Sequence, residues 1–403
     1  MRIAIVTDYY LPTLGGVQTA IKAQREALTA AGHRVTIFAP LTEEPADPDI
    51  VRLPSARGFA PDGYPFAWPL ARIVAMLRAE FAGRGIDVVH VQTEMFAALA
   101  GIRAAREGGI PLVQTMHGRI DVYTRSVLPL PVLTVPLLAR LHRRALGSVP
   151  EPLRDPSVPW ARSLGARRMW QVMVSQANAA DRVIVPSAHF AAKLAGQGVT
   201  TPLTVLSNGL EDSVVDAIGE PRARTLSPGS RLRVMWCGRV SPEKRPDVFV
   251  DAISRTSGVT AEMYGDGVAR RSVARRAHSL PTGRLTVHGG VPQERVLAAM
   301  REAHVFVSSS WDFDNQPMVL LEAIASGLPV IVADADLAES LPEGSFLVAP
   351  SPDAVGLSRA LRALCENPGV VARMSTAAIA GRDDVWHASH TAALVGVYEG
   401  VAR

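Results

Sequence analysis

The chain has 403 residues, 48% of them hydrophobic and 20% charged, with a formal net charge of +4. That length suits two domains with buried cores, and so mild a positive balance, with no recognition-helix, RNA-binding or zinc-finger signature, implies no nucleic-acid partner. Two cysteines, Cys237 and Cys365, exclude a disulfide framework and a cysteine metal site, and the longest apolar run, residues 127–139, is too short to span a membrane and holds three prolines.

The opening RIAIVT (2–7) is a continuous apolar run, the pattern of a strand buried on both faces. It lacks the length and cleavage site of a secretory signal, so a reduced, cytoplasmic setting is expected. The loop DYYLPTLGGVQTA follows, and a helix runs to about Ala31. Gly15 and Gly16 let backbone approach a ligand closely. No G-x-G-x-x-G is present, which excludes a dinucleotide fingerprint.

Alternation of strand and helix continues through a strand at 32–40, a strand at 86–92, a helix to about Gly108 and a strand at 110–118. His90 and His117 sit at the ends of the last two strands. Residues 119–171 break the rhythm. They are apolar and Pro-rich, and from Arg140 to Arg168 they hold seven Arg against Glu151 and Asp155, with Trp160 and Trp170 interleaved. Apolar and Trp residues beside Arg suit an anionic bilayer surface. An excursion packed on its own domain is the alternative. DRVIVPSAHFAAKL (181–194) reads as a strand, a serine cap and a helix. Residues 211–231 are polar and rich in Pro, Gly and Ser, which predicts a linker.

The second half restarts the pattern. LRVMWCGRVSPEKRPDVFVDAI (232–253) gives a strand, a loop and a helix, with Arg239 and Lys244 five positions apart across the turn. Both can converge on one diphosphate, Arg as a fork and Lys as a point charge. HVFVSSSWDFDNQPMVLLEAIASGLPVIV (304–332) is the most organised stretch: strand, polar loop, helix, strand. Pro317 suits the first helical position and Gly327 the helix end. Seven residues separate Asp314 in the loop from Glu322 in the helix, so both can face one cleft. A helix N-terminus at the carboxyl edge of a parallel sheet attracts phosphate.

These motifs resemble retaining glycosyltransferases of family four. The D-x7-E spacing resembles that family's E-x7-E signature, with Asp314 in place of the first Glu. G-R-V-S-P-E-K-R is the most specific match, and Y-G-D-G (264–267), L-S-N-G-L (206–210) and V-P-S (185–187) resemble further family segments in order. The run Asp314-Asn315-Gln316-Pro317 is similar to the E-T-Q-G of members that glycosylate diacylglycerol, matching at Gln316 and departing at Pro317.

The resemblance implies an α/β protein of GT-B architecture, with two Rossmann-like domains facing a deep cleft. The first comprises residues 1–207 with about 384–403, whose last helix crosses back, and binds acceptor. The second comprises residues 208–383 and binds the nucleotide sugar. It implies hexose transfer from a nucleoside diphosphate sugar of GDP-mannose or UDP-glucose type to a lipid or glycan hydroxyl. Arg239, Lys244, Asp314 and His117 carry the reaction on this reading. Gly15, Gly16, Asn315, Gln316, Pro317, Met318, Val319 and Glu322 line the donor, Glu322 at the ribose. His90 is structural. No cofactor or metal is expected, because Asp314 of the D-x-D run Asp312-Phe313-Asp314 is already assigned through its spacing to Glu322. An anionic membrane surface, met peripherally at the inner face of the plasma membrane, is the expected partner. A sugar-nucleotide epimerase of the same architecture and a non-catalytic sugar-nucleotide-binding module are the alternatives.

Overall fold

The computed structural model describes residues 1–11, 16–56, 58–60, 64–128, 130–146, 152–385 and 387–402. The chain divides into two compact units, Met1–Asn208 with Ala388–Arg403, and Gly209–His387. Its first strands and helices are β1 (Arg2–Val6), α1 (Gly16–Ala30), β2 (Arg34–Pro40), β3 (Ile50–Leu53), α2 (Leu70–Arg84), β4 (Val88–Val91), α3 (Phe96–Gly108) and β5 (Leu112–Thr115). Then come α4 (Ile120–Val127), α5 (Pro131–Leu146), α6 (Leu164–Ala177), β6 (Arg182–Val185), α7 (Ala188–Gln197) and β7 (Leu203–Val205).

The first unit's sheet has seven strands in the order β3-β2-β1-β4-β5-β6-β7, all parallel. Helices cover both faces of such a sheet, so its strands read as unbroken apolar runs; Ile3, Ala4, Ile5 and Val6 of β1 are fully buried. The strand order reverses between β1 and β4, and doubly wound sheets bind ligands beyond the strand ends at that switch point. Residues 7–11 and 92–95 lie there. Gly16 opens α1, while Gly15 lies outside the described residues.

The second unit continues with α8 (Asp212–Ile218), β8 (Leu232–Cys237), α9 (Pro246–Ser254), β9 (Val259–Tyr264), α10 (Arg270–His278), β10 (Leu285–Gly289) and α11 (Gln293–Glu302). It ends with β11 (Val305–Ser308), α12 (Met318–Ala325), β12 (Val330–Val332), β13 (Phe346–Val348), α13 (Ala354–Glu366) and α14 (Pro368–Ala380). Its six strands run in the order β10-β9-β8-β11-β12-β13, again parallel. Here the switch point falls between β8 and β11, paired as Val305 with Val234 and Phe306 with Met235. The final helix, α15 (His387–Val401), belongs to the first unit, where Leu394 and Tyr398 are buried with Ile3, Ile5, Val35 and Ile37.

Three local expectations are corrected. The predicted linker 211–231 contains α8, which buries Val214, Val215 and Ile218. The next stretch is pinned by Arg224, whose buried guanidinium donates to the carbonyls of Ala303 and Met300 at 2.9 Å. Pro317 stands just outside α12 with an extended ψ of 121°, so Met318 is the first helical residue. Trp170 does not face a bilayer: it is fully buried, with its ring centre 4.2 Å from that of the tilted Trp160 ring. The excursion is packed as α4, α5 and α6, with Val135, Leu138, Ala139 and Met169 in the first unit's core.

Candidate active site

In the second unit, the turn after β8 places the cations. Gly265 and Gly267, after β9, press against it. A Cβ on Gly265 would lie 1.8 Å from the Gly238 carbonyl oxygen, and its φ of 129° also suits glycine alone. Pro242–Lys244 form a short 3-10 turn, and Arg245 reverses the chain at φ 51° before Pro246 opens α9. The turn is tied to β11 because Ser309 Oγ donates to the Lys244 carbonyl at 2.8 Å and accepts from Trp236 Nε1 at 2.9 Å.

Lys244 and Asp314 meet directly: Nζ donates to Oδ1 at 2.6 Å, with the two side chains 21% and 11% exposed. Lys244 Nζ also lies 5.6 Å from the Phe313 ring centre. Arg239 pairs with Glu243, Nη2 to Oε1 at 2.7 Å, and Ser241 Oγ donates to the same oxygen at 2.6 Å. Each predicted cation is thus held by a carboxylate, one of which, Glu243, the spacing of motifs had not singled out. An ammonium carries three donors, of which Asp314 takes one.

The loop from β11 to α12 is fixed by Asp334. Its Oδ2 accepts the Asp312 N–H at 2.6 Å and holds Asp312 at φ 49°, a strained value for a residue with a Cβ. Among the described residues no three His, Cys, Asp or Glu side chains gather as metal ligands. Asn315 is buried. Gln316 and Pro317 lead into α12, where the N–H groups of Met318 and Val319 lack intrahelical acceptors and Leu320 N–H donates to the Pro317 carbonyl at 3.0 Å. Glu322, on the second turn, is buried, and burial raises its pKa although Gln293 Nε2 donates to it at 2.8 Å. Glu322 therefore bonds to α11 and not to Asp314. Burial likewise pushes the neighbouring Cys237 thiol up to about 12.

In the first unit, the ends of β4 and β5 hold a buried polar network. His117 Nε2 lies 2.7 Å from Gln92 Oε1, so that nitrogen carries the proton. Gln92 Nε2 donates to Gln24 Oε1 and to His90 Nδ1. His90 Nδ1 also accepts from Tyr398 of α15 at 2.7 Å, and its Nε2 donates to Thr115 Oγ1 at 2.7 Å. Both imidazoles are neutral: burial lowers His117 to about 4 and His90 to about 3. His90 is structural in this network. At the switch point itself, Asp8 accepts the N–H groups of Met95 at 3.1 Å, Ala97 at 2.7 Å and Ala98 at 3.3 Å. It caps α3 from a position 87 residues or more away in sequence.

Set beside known proteins, residues 14–214 match the family described as Glycosyltransferase Family 4, and residues 231–367 match Glycosyl transferases group 1. The chain is 27% identical over 345 residues to a GDP-mannose-dependent alpha-mannosyltransferase of Mycobacterium tuberculosis, covering 83% of this chain and 79% of the relative. It is 25% identical over 347 residues to an alpha-monoglucosyldiacylglycerol synthase of Streptococcus pneumoniae, covering 82% and 70%. Sucrose-phosphate synthase from Thermosynechococcus elongatus shares its fold, with a TM-score of 0.71 at 19% identity over 99% of this chain and 98% of that one.

Proposed function

The chain belongs to glycosyltransferase family 4, has the GT-B fold and is a nucleotide-sugar-dependent glycosyltransferase, and on that premise we propose that it transfers a hexose from GDP-mannose or UDP-glucose to a lipid or glycan hydroxyl with retention of configuration. The observation that carries this reading is the Lys244–Asp314 ion pair, seated at the β8/β11 switch point beside the first turn of α12. As the bond from the anomeric carbon to the leaving oxygen breaks, negative charge gathers on the diphosphate. Cations and helix N–H groups already fixed there stabilise the transition state more than the ground state.

Arg239, Lys244 and the N–H groups of Met318 and Val319 take the diphosphate. Asp314 takes a sugar hydroxyl and keeps Lys244 aimed. Glu322 accepts from the ribose hydroxyls, with Asn315, Gln316 and Pro317 shaping the wall. By the family resemblance Gly16 of α1 and the neutral imidazole of His117 are assigned to the donor, as is Gly15, which lies outside the described residues. The acceptor oxygen attacks from the face the diphosphate leaves, and its proton passes to the departing phosphate oxygen, so no covalent enzyme intermediate forms. The charges come from side chains and the helix, so the reaction needs neither metal nor cofactor.

The name of the first relative supports a GDP-mannose donor, and that of the second supports a diacylglycerol-linked product. Among the described residues no helix is long and apolar enough to cross a membrane, which is compatible with peripheral attachment at the inner face of the plasma membrane. The test is incubation of the protein with each labelled sugar nucleotide and diacylglycerol-containing vesicles, in EDTA, with the product's anomeric configuration read by NMR. An α-linked glycolipid formed at full rate in EDTA is the expected result. A β-linked product, activity restored only by Mn²⁺ or Mg²⁺, or an epimerised donor without transfer would contradict the proposal.

A further inference from the structure

The β11–α12 loop brings Trp311 to the surface three residues before Asp314, with no part in the reaction as proposed. Among the described residues it is the most exposed Phe or Trp, at 52%. The chain leaves the core abruptly there, because Ser309 and Ser310 before it are buried. A single exposed apolar residue needs no explanation when it is loose on a surface. Trp311 is held in place from two sides, its own loop and the β8 turn.

On its own loop, Asp312 is fixed at φ 49° by its N–H bond to Asp334 Oδ2 at 2.6 Å. That turn sends the aromatic residues on either side of it to two successive cations. The Phe313 ring centre lies 5.6 Å from Lys244 Nζ, and the Trp311 ring centre lies 6.0 Å from the Arg245 guanidinium carbon. Arg245 is itself fixed, at φ 51°, and its Nη1 donates to the Pro352 carbonyl at 2.6 Å. Two residues that carry a Cβ thus hold left-handed backbone around one indole. Such strain persists where the surroundings over-determine it, and it gathers at functional sites. The guanidinium covers one face of the ring and leaves the side chain half exposed. What remains is a flat, rigid apolar surface that loses little freedom when a ligand covers it.

Strand order decides which part of a ligand meets that surface. Asp334 follows β12 and Pro352 follows β13, so Trp311 leans to the β12–β13 side of the reversal between β8 and β11. Glu322 bonds instead to Gln293 of α11, which follows β10 on the other side. The proposed function gives the ribose to Glu322 and a sugar hydroxyl to Asp314. Resting on that reading, the nucleoside end of the donor lies away from Trp311 and the sugar end lies toward it. We propose that Trp311 is a stacking platform for a pyranose ring. One face of such a ring carries C–H groups with slight positive charge, and the indole face is negative, so the two attract. The ring is supplied either by the donor's hexose or by a sugar already present on the acceptor, and the experiment separates the two.

Steady-state transfer by the wild type, Trp311→Ala and Trp311→Phe tests the proposal. UDP-glucose or GDP-mannose is varied first, then the acceptor, as diacylglycerol or as glucosyl-diacylglycerol. Melting curves check that each variant is folded. Trp311→Ala should raise one KM about tenfold, the scale of a lost aromatic stack, with kcat changed less, and Trp311→Phe should restore most of the loss. A raised donor KM puts the donor hexose on the indole. A rise confined to glucosyl-diacylglycerol puts an acceptor sugar there. Calorimetric titration reads the donor arm without turnover: on that arm Trp311→Ala should weaken binding of the sugar nucleotide and leave the bare nucleoside diphosphate unchanged. An acceptor KM raised equally for diacylglycerol, which has no sugar, would make the surface a lipid contact and overturn the platform. Unchanged KM values, or a loss of kcat that Trp311→Phe does not restore, would also overturn it and leave the proposed function standing. A wild type that neither binds sugar nucleotide nor transfers hexose would overturn both.

Discussion

Gln92 is the residue through which His117 is held. Its amide oxygen fixes the Nε2 proton of His117, and its amide nitrogen reaches His90, which in turn takes the hydroxyl of Tyr398. His117 therefore presents one tautomer, with its lone pair on Nδ1. Because burial lowers its pKa to about 4, the imidazole is protonated only below that value and stays neutral across pH 5–8. Gln92→Leu should lower kcat by roughly tenfold to a hundredfold, the scale of a misplaced reacting group, with little change in KM. ¹⁵N NMR should show the His117 tautomer lost in that variant and a neutral ring in the wild type at pH 6. A kcat unchanged despite a shifted tautomer would remove Gln92 from the account. None of this was legible in the sequence, where both histidines are simply strand ends and Tyr398 lies 308 positions from His90. The family resemblance separated His117 from His90. The chain's own pattern did not.

At the scale of elements, the turns that carry cations were readable and the packing of polar-looking segments was not. The β8 turn announces itself through Gly238, Pro242 and Pro246, residue types whose backbone limits dictate where a strand stops and a helix starts. α8 was hidden because three apolar positions among Pro, Gly and Arg neighbours give too short a period to stand out. The tryptophans of the excursion misled for a different reason. An indole can anchor either at an interface or in a core, and here Arg119 decides: its guanidinium lies 5.6 Å from the ring centres of both Trp160 and Trp170. The Arg119–Asp121 pair, with side chains 3% and 4% exposed, ties α4 to this cluster. Removing one partner strands a buried charge, so Asp121→Ala should destabilise the first unit by about 3–5 kcal/mol. Urea unfolding followed by tryptophan fluorescence measures it, and a loss below about 1 kcal/mol would mean that the pair does not hold α4 in place.

For the whole molecule, the alternation of strands and helices made two parallel α/β sheets the natural expectation, because right-handed crossovers leave few other arrangements for such a pattern. Strand order was not readable from any single segment, yet it decides where chemistry sits. It places residues 238–245 and 309–317 at the reversal of the second sheet. On the proposed function, Arg239 and Lys244 hold the diphosphate at this reversal. The direct measurement is turnover at saturating sugar nucleotide for the wild type, Lys244→Ala, and the double variant with Arg239→Ala. Lys244→Ala should fall roughly tenfold to a thousandfold, the scale for losing one fixed charge from a transition state, and the double variant further, with each protein's folding confirmed by its melting curve. Wild-type turnover in a folded double variant would contradict the claim.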